Sequence, residues 1–243
     1  MITVKDIAKK TMSESKKASA KNDLFAFYIG RPLSYVLTIP FLYTNIKPNT
    51  ITLFSVIPTA IGFIISCFAD SKPGMILCWL MYFLWNLLDG VDGNVARYKQ
   101  QFSKLGSVYD AMSGYLAAAL TFFSTAIMAA HSNGLLLRNG LLNTDALIII
   151  GGMSALFNMF PRLVMHKAIT ELGNKDDLSE VNDKKNYSIV KIIALNLKSA
   201  AGGAQVLMLV AIIAGITDIY SVCYLLFNTL VMLTSLKTIL KEK

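Results

Sequence analysis

Charge is scarce in this chain. Only 16% of its 243 residues are Asp, Glu, Lys or Arg, against roughly 25% in a typical soluble domain. That shortfall excludes a water-facing surface over most of the molecule and implies one that faces lipid. Cysteine is scarce as well. Cys67, Cys78 and Cys223 lie in apolar stretches without C-x-x-C spacing, so they read as small buried hydrophobes and carry no sign of a zinc site or an oxidising compartment. No P-loop, Ser-His-Asp set or zinc motif is present. A secretory signal is lacking too: Lys5, Lys9, Lys10, Lys16, Lys17 and Lys21 come early, but no apolar core follows them at once. This basic tail is compatible with lying on an anionic leaflet and equally with having no fixed structure.

What is abundant is apolar sequence, at 54%. A transmembrane helix needs about 20 mostly apolar residues, and six stretches qualify, near 50–69, 74–97, 105–131, 144–169, 188–214 and 217–240. A seventh apolar stretch, 24–45, is broken by Gly30, Arg31 and Pro32, and its mix of Phe, Tyr and Leu suits an interfacial helix. The expected class is an all-α integral membrane protein, with six transmembrane helices plus an N-terminal amphipathic interfacial helix. Residues 1–47 read as a cytoplasmic tail with that helix, and 48–243 as one six-helix membrane domain. The breaks have turn chemistry: Lys47-Pro48-Asn49-Thr50 opens the first span, Asp70-Ser71-Lys72-Pro73-Gly74 separates the first two, and the charged stretch 171–186 is an exposed loop.

Orientation follows from lysine and arginine. With six spans both termini share a side, and that side collects all of the 23 Lys and Arg except Lys72 and Arg138. Such residues accumulate on the cytoplasmic face, which puts both termini there, in a multi-pass protein of the cell membrane. The same asymmetry accounts for the net charge of +8 without nucleic acid as a partner.

Against this background three aspartates stand out in LLDGVDGNVARYKQQFSKLGSVYDAMSG, residues 87–114. An aspartate deep in a bilayer costs about 2.5–3.5 kcal/mol on insertion scales. Asp89, Asp92, Gly93 and Ala96 share one helical face, as do Gly106 and Asp110 on the next helix. A short turn between the helices lets those faces converge. Three carboxylates in one cavity repel unless a cation sits among them, and Mg2+ or Mn2+ takes oxygen ligands of this kind. Gly90, Gly93 and Gly106 each cost roughly 1 kcal/mol against alanine in a helix, and they clear space for a flat base or a diphosphate. Arg97 offers a planar fork suited to phosphate. Helix packing and the positive-inside rule explain single members of this set; they do not explain three aspartates with one arginine. A transporter with ion-coupling aspartates is disfavoured by the lack of an internal repeat.

The pattern Asp89-x2-Asp92-Gly93-x2-Ala96-Arg97-x8-Gly106-x3-Asp110 resembles the signature of the CDP-alcohol phosphatidyltransferase family, which ends in a further x3-Asp. Pro48-Asn49-Thr50-Ile51-Thr52 is similar to the segment that opens that family's first span. The resemblance implies transfer of a phosphoalcohol group from a CDP-alcohol donor to a hydroxyl acceptor, a lipid or a small polyol, with release of CMP. It implies Asp89, Asp92 and Asp110 as catalytic metal ligands, Gly93 and Ala96 as room for cytidine, Gly106 beside them, Arg97 on donor phosphate, and Asn49 and Thr52 at the nucleotide pocket. Pairing of two copies into a homodimer stays open.

One signature position departs. The family's last aspartate, a metal ligand and the proposed base for the acceptor hydroxyl, falls on Gly114. Ser113 and Tyr115 point to other faces and are poor bases without activation. The substrate's own phosphate would supply the missing oxygen; a carboxylate elsewhere in the chain is a second answer, although the remaining spans offer none; binding without turnover is a third. Other polar residues in the spans are Asn158, Arg162, Asn196, Lys198 and Gln205. Arg162, with Lys191 and Lys198, would cradle an anionic acceptor or donor tail, or would simply snorkel to the interface. His166 reads as a surface residue.

Overall fold

The computed structural model describes residues 2–13, 17, 20–172 and 189–240, the side chains of 172 and 189–191 excepted. Most of the loop expected at 171–186 and the side chain of Lys191 therefore lie outside the described residues. So does part of the basic tail.

The described residues form helices without strands. In chain order these are α1 (Val4–Thr11), a π-helical turn (Ala26–Gly30), α2 (Arg31–Leu42), α3 (Pro48–Ser66), α4 (Lys72–Lys99), α5 (Gly106–His131), α6 (Leu135–Arg138), α7 (Thr144–Leu172), α8 (Ile189–Lys198), α9 (Gly203–Ala214) and α10 (Thr217–Ile239). Five of them, counting α5 through α6 as one, are long and apolar enough to cross a membrane, and the bent pair α8–α9 is a sixth candidate. The chain is a multi-pass membrane protein on that ground.

Local chemistry sets the ends. Proline occupies the first turn of α2, α3 and α4, where its missing N–H costs nothing. Gln100 at φ 56° and Gly215 at φ 72° close α4 and α9 in the left-handed conformation. Hydroxyls inside the spans fold back on their own helices: Thr121 donates to Ala117 O and Thr125 to Thr121 O, each at 2.7 Å. Such bonds are needed where lipid offers none.

Two expectations are corrected. The stretch 188–214 is not one helix. It breaks at residues 199–202 and bends by 63°. The reason lies in Gly202-Gly203: a Cβ on Gly203 would sit 2.7 Å from Asn196 O, so the chain doubles back too tightly for any larger residue. The stretch 24–45, expected to break at Gly30-Arg31-Pro32, instead stays helical there: the π-helical turn runs directly into α2, with Gly30 and Arg31 both in right-handed helical conformation. Ser34, Tyr35, Thr38 and Leu42 of α2 are buried, so that face packs on protein, against α4.

The tail also has more structure than its composition suggested. A capping box joins Thr3 and Asp6 at the start of α1, and donation from the Thr3 hydroxyl and amide holds the Asp6 carboxyl below its ordinary range. Ile7 is fully buried in a cluster with Tyr35, Ile51, Val91 and Val95. The N-terminal segment is thereby fixed to the C-terminal half of α4, the half that carries the aspartates.

Packing places those aspartates. α4 packs mainly on α3 and α2, and α5 on α3 and α7. α4 and α5 touch each other over a shorter length, and a cavity lined by Asp89, Asp92 and Asp110 lies beside them. Buried amides hold the frame: Asn86 donates to Ala201 O and Gln205 Oε1, Trp79 donates to Gln205 O, and Asn158 bonds Asn228. Asn196 reaches back to Asn22 O and Leu24 N. These bonds tie the α8–α9 break and the N-terminal segment to the bundle.

At the opposite end, the buried Asp218 carboxylate accepts from Leu136 N at 2.6 Å and from Ile219 N at 2.9 Å. Asp218→Ala leaves those donors unpaired and is expected to destabilise the protein by about 1–3 kcal/mol, read as a lowered midpoint in detergent thermal unfolding.

Candidate functional site

The site grows from two helix ends. α4 carries Asp89, Asp92, Gly93, Ala96 and Arg97 in its last three turns; α5 begins at Gly106 and presents Asp110 one turn later. At 1.5 Å per residue, Asp89 lies roughly 26 Å along α4 from Lys72, close to the far edge of a hydrocarbon layer about 30 Å thick. The aspartates therefore stand near the membrane surface and not at its middle.

Three adjoining cavities meet there, and Asp110 lines all of them. The first, about 290 Å³, is walled by Asn49, Thr52, Asp92, Ala96, Arg97 and Gly106, together with Gly93. Asn49 donates to Ser103 Oγ at 2.9 Å, which joins the start of α3 to the α4–α5 turn. The second, also about 290 Å³, brings Asp89, Asp92 and Asp110 to one space beside Gly93 and Arg97. The third, about 460 Å³, is bounded by Asp89, Asp110, Gly114, Tyr115, Arg162 and His166, with the backbone of the α8–α9 break on its far side. Asn49, Thr52, Asp89, Asp92, Gly93, Ala96, Arg97, Gly106, Asp110 and Arg162 each line one or more of these spaces, whereas Asn158, Asn196, Gln205 and Lys198 line none of them.

Their bonding differs in an informative way. Asp92, 7% exposed, accepts from the Thr52 hydroxyl at 2.5 Å. Thr52 also donates to Pro48 O, so this residue of α3 fixes one carboxylate of α4. Asp89 and Asp110 have no hydrogen bond or ion pair among the described residues, where the one salt bridge is Lys167–Glu171 on the surface. Arg97 lies over Gly93, its Nη2 only 2.9 Å from where a Cβ would stand. It donates to Asn94 Oδ1 at 3.3 Å, and its buried Nε has no partner. The guanidinium is near the carboxylates without being neutralised by them.

The donor set has the right chemistry for a hard divalent ion: three carboxylates on one cavity, two of them unpaired, flanked by serine and asparagine oxygens. Among the described residues no three Asp, Glu, His or Cys side chains stand close enough together to hold a metal ion by themselves. The arrangement is an open one, with room for ligands from a substrate.

Gly114 is open as well. A Cβ placed there meets nothing within 4 Å. Its neighbour Ser113 is fully engaged, accepting from Trp85 Nε1 and bonded to Ser55 Oγ, both at 2.9 Å, and so cannot turn toward the cavity. Arg162 lies 5.7 Å from the Tyr115 ring centre. It continues, with His166 and Lys198, into a further cavity of about 350 Å³.

Sequence reasoning missed several walls of the site. Arg31 and Ser34 of α2 line the carboxylate cavity, as do Asn86 and Asn94. Asn86 was within reach of the argument: it precedes Asp89 by three residues, on the same face. Arg31 carried a weaker signal, as a charge inside an apolar stretch. His166, read as a surface residue, is exposed but borders the cavity of Gly114.

A family model for CDP-alcohol phosphatidyltransferase matches residues 45–233. No curated protein matches the chain.

The two kinds of glycine at this site separate by experiment. A Cβ on Gly90 would lie 2.8 Å from Ser34 Cβ, so Gly90→Ala is expected to cost about 1–3 kcal/mol by overpacking. Gly114→Ala has free space in a helix interior and is expected to stabilise by up to about 1 kcal/mol. Thermal unfolding of both variants in one detergent checks the contrast.

Proposed function

The chain belongs to the CDP-alcohol phosphatidyltransferase family, and on that premise we propose that it transfers a phosphoalcohol group from a CDP-alcohol to a hydroxyl acceptor and releases CMP, in phospholipid or related phosphodiester synthesis. The observation that carries this reading is the single cavity faced by three carboxylates, two of them without partners, beside an arginine with free donors.

In this reading Asp89, Asp92 and Asp110 hold Mg2+ or Mn2+. Bound there, the cation would offset carboxylate charge and make the donor phosphate more electrophilic. Thr52 keeps Asp92 turned into the cavity through its hydrogen bond. Asn49, Ala96 and Gly106 border the space for the cytidine, which needs a flat, uncrowded wall. Arg97 is held over Gly93 with donors to spare, so it binds donor phosphate and steadies charge that builds on the leaving CMP. The acceptor enters the larger cavity on the side of Gly114. Arg162 and Lys198 border the next space with no acidic partner among the described residues, which favours an acceptor or donor tail bearing an anionic group.

The helix count and orientation belong to the same proposal. The bent pair α8–α9 serves as the sixth span, α2 as the interfacial helix, and residues 48–243 as the catalytic membrane domain. Both termini and the site then face the cytoplasm, where CDP-linked donors and divalent ions are found together with most of the lysine and arginine. A second reading, a CDP-alcohol-binding protein without turnover, is favoured by Gly114 alone.

Purified protein with Mg2+, CDP-linked lipids or polyols and a panel of hydroxyl acceptors is expected to release CMP. Asp89→Asn should lower that release by at least about 10²-fold while the unfolding midpoint stays near that of the parent. Calorimetry gives an independent readout: CDP should bind in the presence of Mg2+ and lose affinity with EDTA or in Asp89→Asn. Binding without CMP release across the panel would favour the second reading; CDP binding indifferent to divalent ion would refute the carboxylate assignment.

A further inference from the structure

We propose that His166 is the general base that takes the proton of the acceptor hydroxyl, in place of the carboxylate that the chain lacks at Gly114. The proposal rests on the transfer reading above and concerns how that reaction proceeds in this chain.

Gly114 and His166 border the same cavity of about 460 Å³, from the neighbouring helices α5 and α7. The space at Gly114 is not filled by another side chain of the protein, since nothing lies within 4 Å of a Cβ built there. A substrate hydroxyl can therefore occupy the gap between the α5 backbone and the imidazole. His166 is on α7, one turn after Arg162, and the i, i+4 spacing puts both on one face toward the cavity. Its ring stands edge-on to Tyr115, 5.9 Å between centres, and Tyr115 adjoins Gly114. The imidazole nitrogens have no hydrogen-bond partner among the described residues, so a lone pair is free for an acceptor hydroxyl.

Elimination points the same way. The carboxylates on this cavity are Asp89 and Asp110, and both are committed to the cation in the proposed site. Arg162 is always protonated. The tyrosine and serine hydroxyls are weak bases near neutrality without a partner to activate them. Histidine is the side chain whose proton exchange suits that range, and its exposure lets water carry the proton away.

The step balances as follows. An imidazole nitrogen takes the hydroxyl proton while the acceptor oxygen bonds to the phosphorus that carries the alcohol. The bond from that phosphorus to the bridging oxygen breaks, and CMP leaves with the electron pair. The imidazolium returns its proton to water in the open cavity.

The test uses the full chain in detergent with Mg2+. Donors are CDP-diacylglycerol and CDP-glycerol, and acceptors are glycerol 3-phosphate, ribitol and water. Four proteins are compared: parent, His166→Gln, Gly114→Asp, and the double variant. His166→Gln is expected to lower kcat by about 10²–10⁴-fold, with the acceptor KM within about twofold and CDP binding by calorimetry unchanged. Adding Gly114→Asp to His166→Gln should restore at least tenfold of that loss, because a carboxylate at 114 supplies a base in the same cavity. An unchanged kcat in His166→Gln overturns the proposal. A raised KM with kcat intact overturns it too, and would make the residue an anchor for the acceptor. So does a loss of kcat that Gly114→Asp leaves in place. If the parent itself releases no CMP while binding CDP, the transfer reading fails and the base falls with it, an outcome distinct from an active parent that ignores His166.

Discussion

Like charges that share a confined space need something between them, and this molecule is organised around that constraint. Asp89, Asp92 and Asp110 face one cavity, and Arg97 stands by without forming an ion pair with them. Two unit charges about 4 Å apart repel by about 4 kcal/mol at the effective dielectric of a protein surface, and by less as they separate. A fold that retains such a cluster sacrifices stability unless a bound cation and substrate complete it. Much of the surrounding architecture limits that cost. The cluster lies near the edge of the hydrocarbon, Thr52 satisfies one carboxylate oxygen, and the three carboxylates face an open cavity that water can enter.

The rest of the bundle serves to hold two helix ends in register. α3 contacts both α4 and α5, and its residues bond to each: Thr52 to Asp92, Ser55 to Ser113, Asn49 to Ser103 in the connecting turn. Moving α3 would therefore shift the carboxylates of both partners at once. The N-terminal segment closes another side. Ser34 of α2 lies against Gly90, and Asn94 donates to Ser34 and Thr38, so this part of the chain is a wall of the site.

Much of this was legible in the sequence because membrane insertion makes simple rules strict. Twenty apolar residues in a row have few alternatives to a helix, and the i, i+3, i+4 spacing of Asp89, Asp92 and Gly93 fixes their common face. What escaped was set by contacts between distant segments. The break at 199–202 depends on a glycine pair whose close approach to Asn196 O shows only in three dimensions. Apolar composition runs straight through it. α1 was obscured by its lysines, since the burial that steadies it comes from Ile7, with Val4 and Ala8 beside it, meeting residues of α2, α3 and α4. His166 looked peripheral because nothing in its own neighbourhood marks it, and the residue that gives it meaning is a glycine some fifty positions earlier.

α4 carries a further implication. Its 28 residues span roughly 42 Å, more than the hydrocarbon layer requires, so its final turns rise into the zone of phosphates and glycerol backbones. In the proposed transfer, a lipid-borne donor or acceptor would then react at the depth where its headgroup already resides. An amphiphilic substrate has only to drift sideways into place, keeping its chains in oil, and no energy is needed to lift it out. The thickness of the host bilayer thereby becomes a structural parameter of the reaction, because it decides how far those turns stand above the oil.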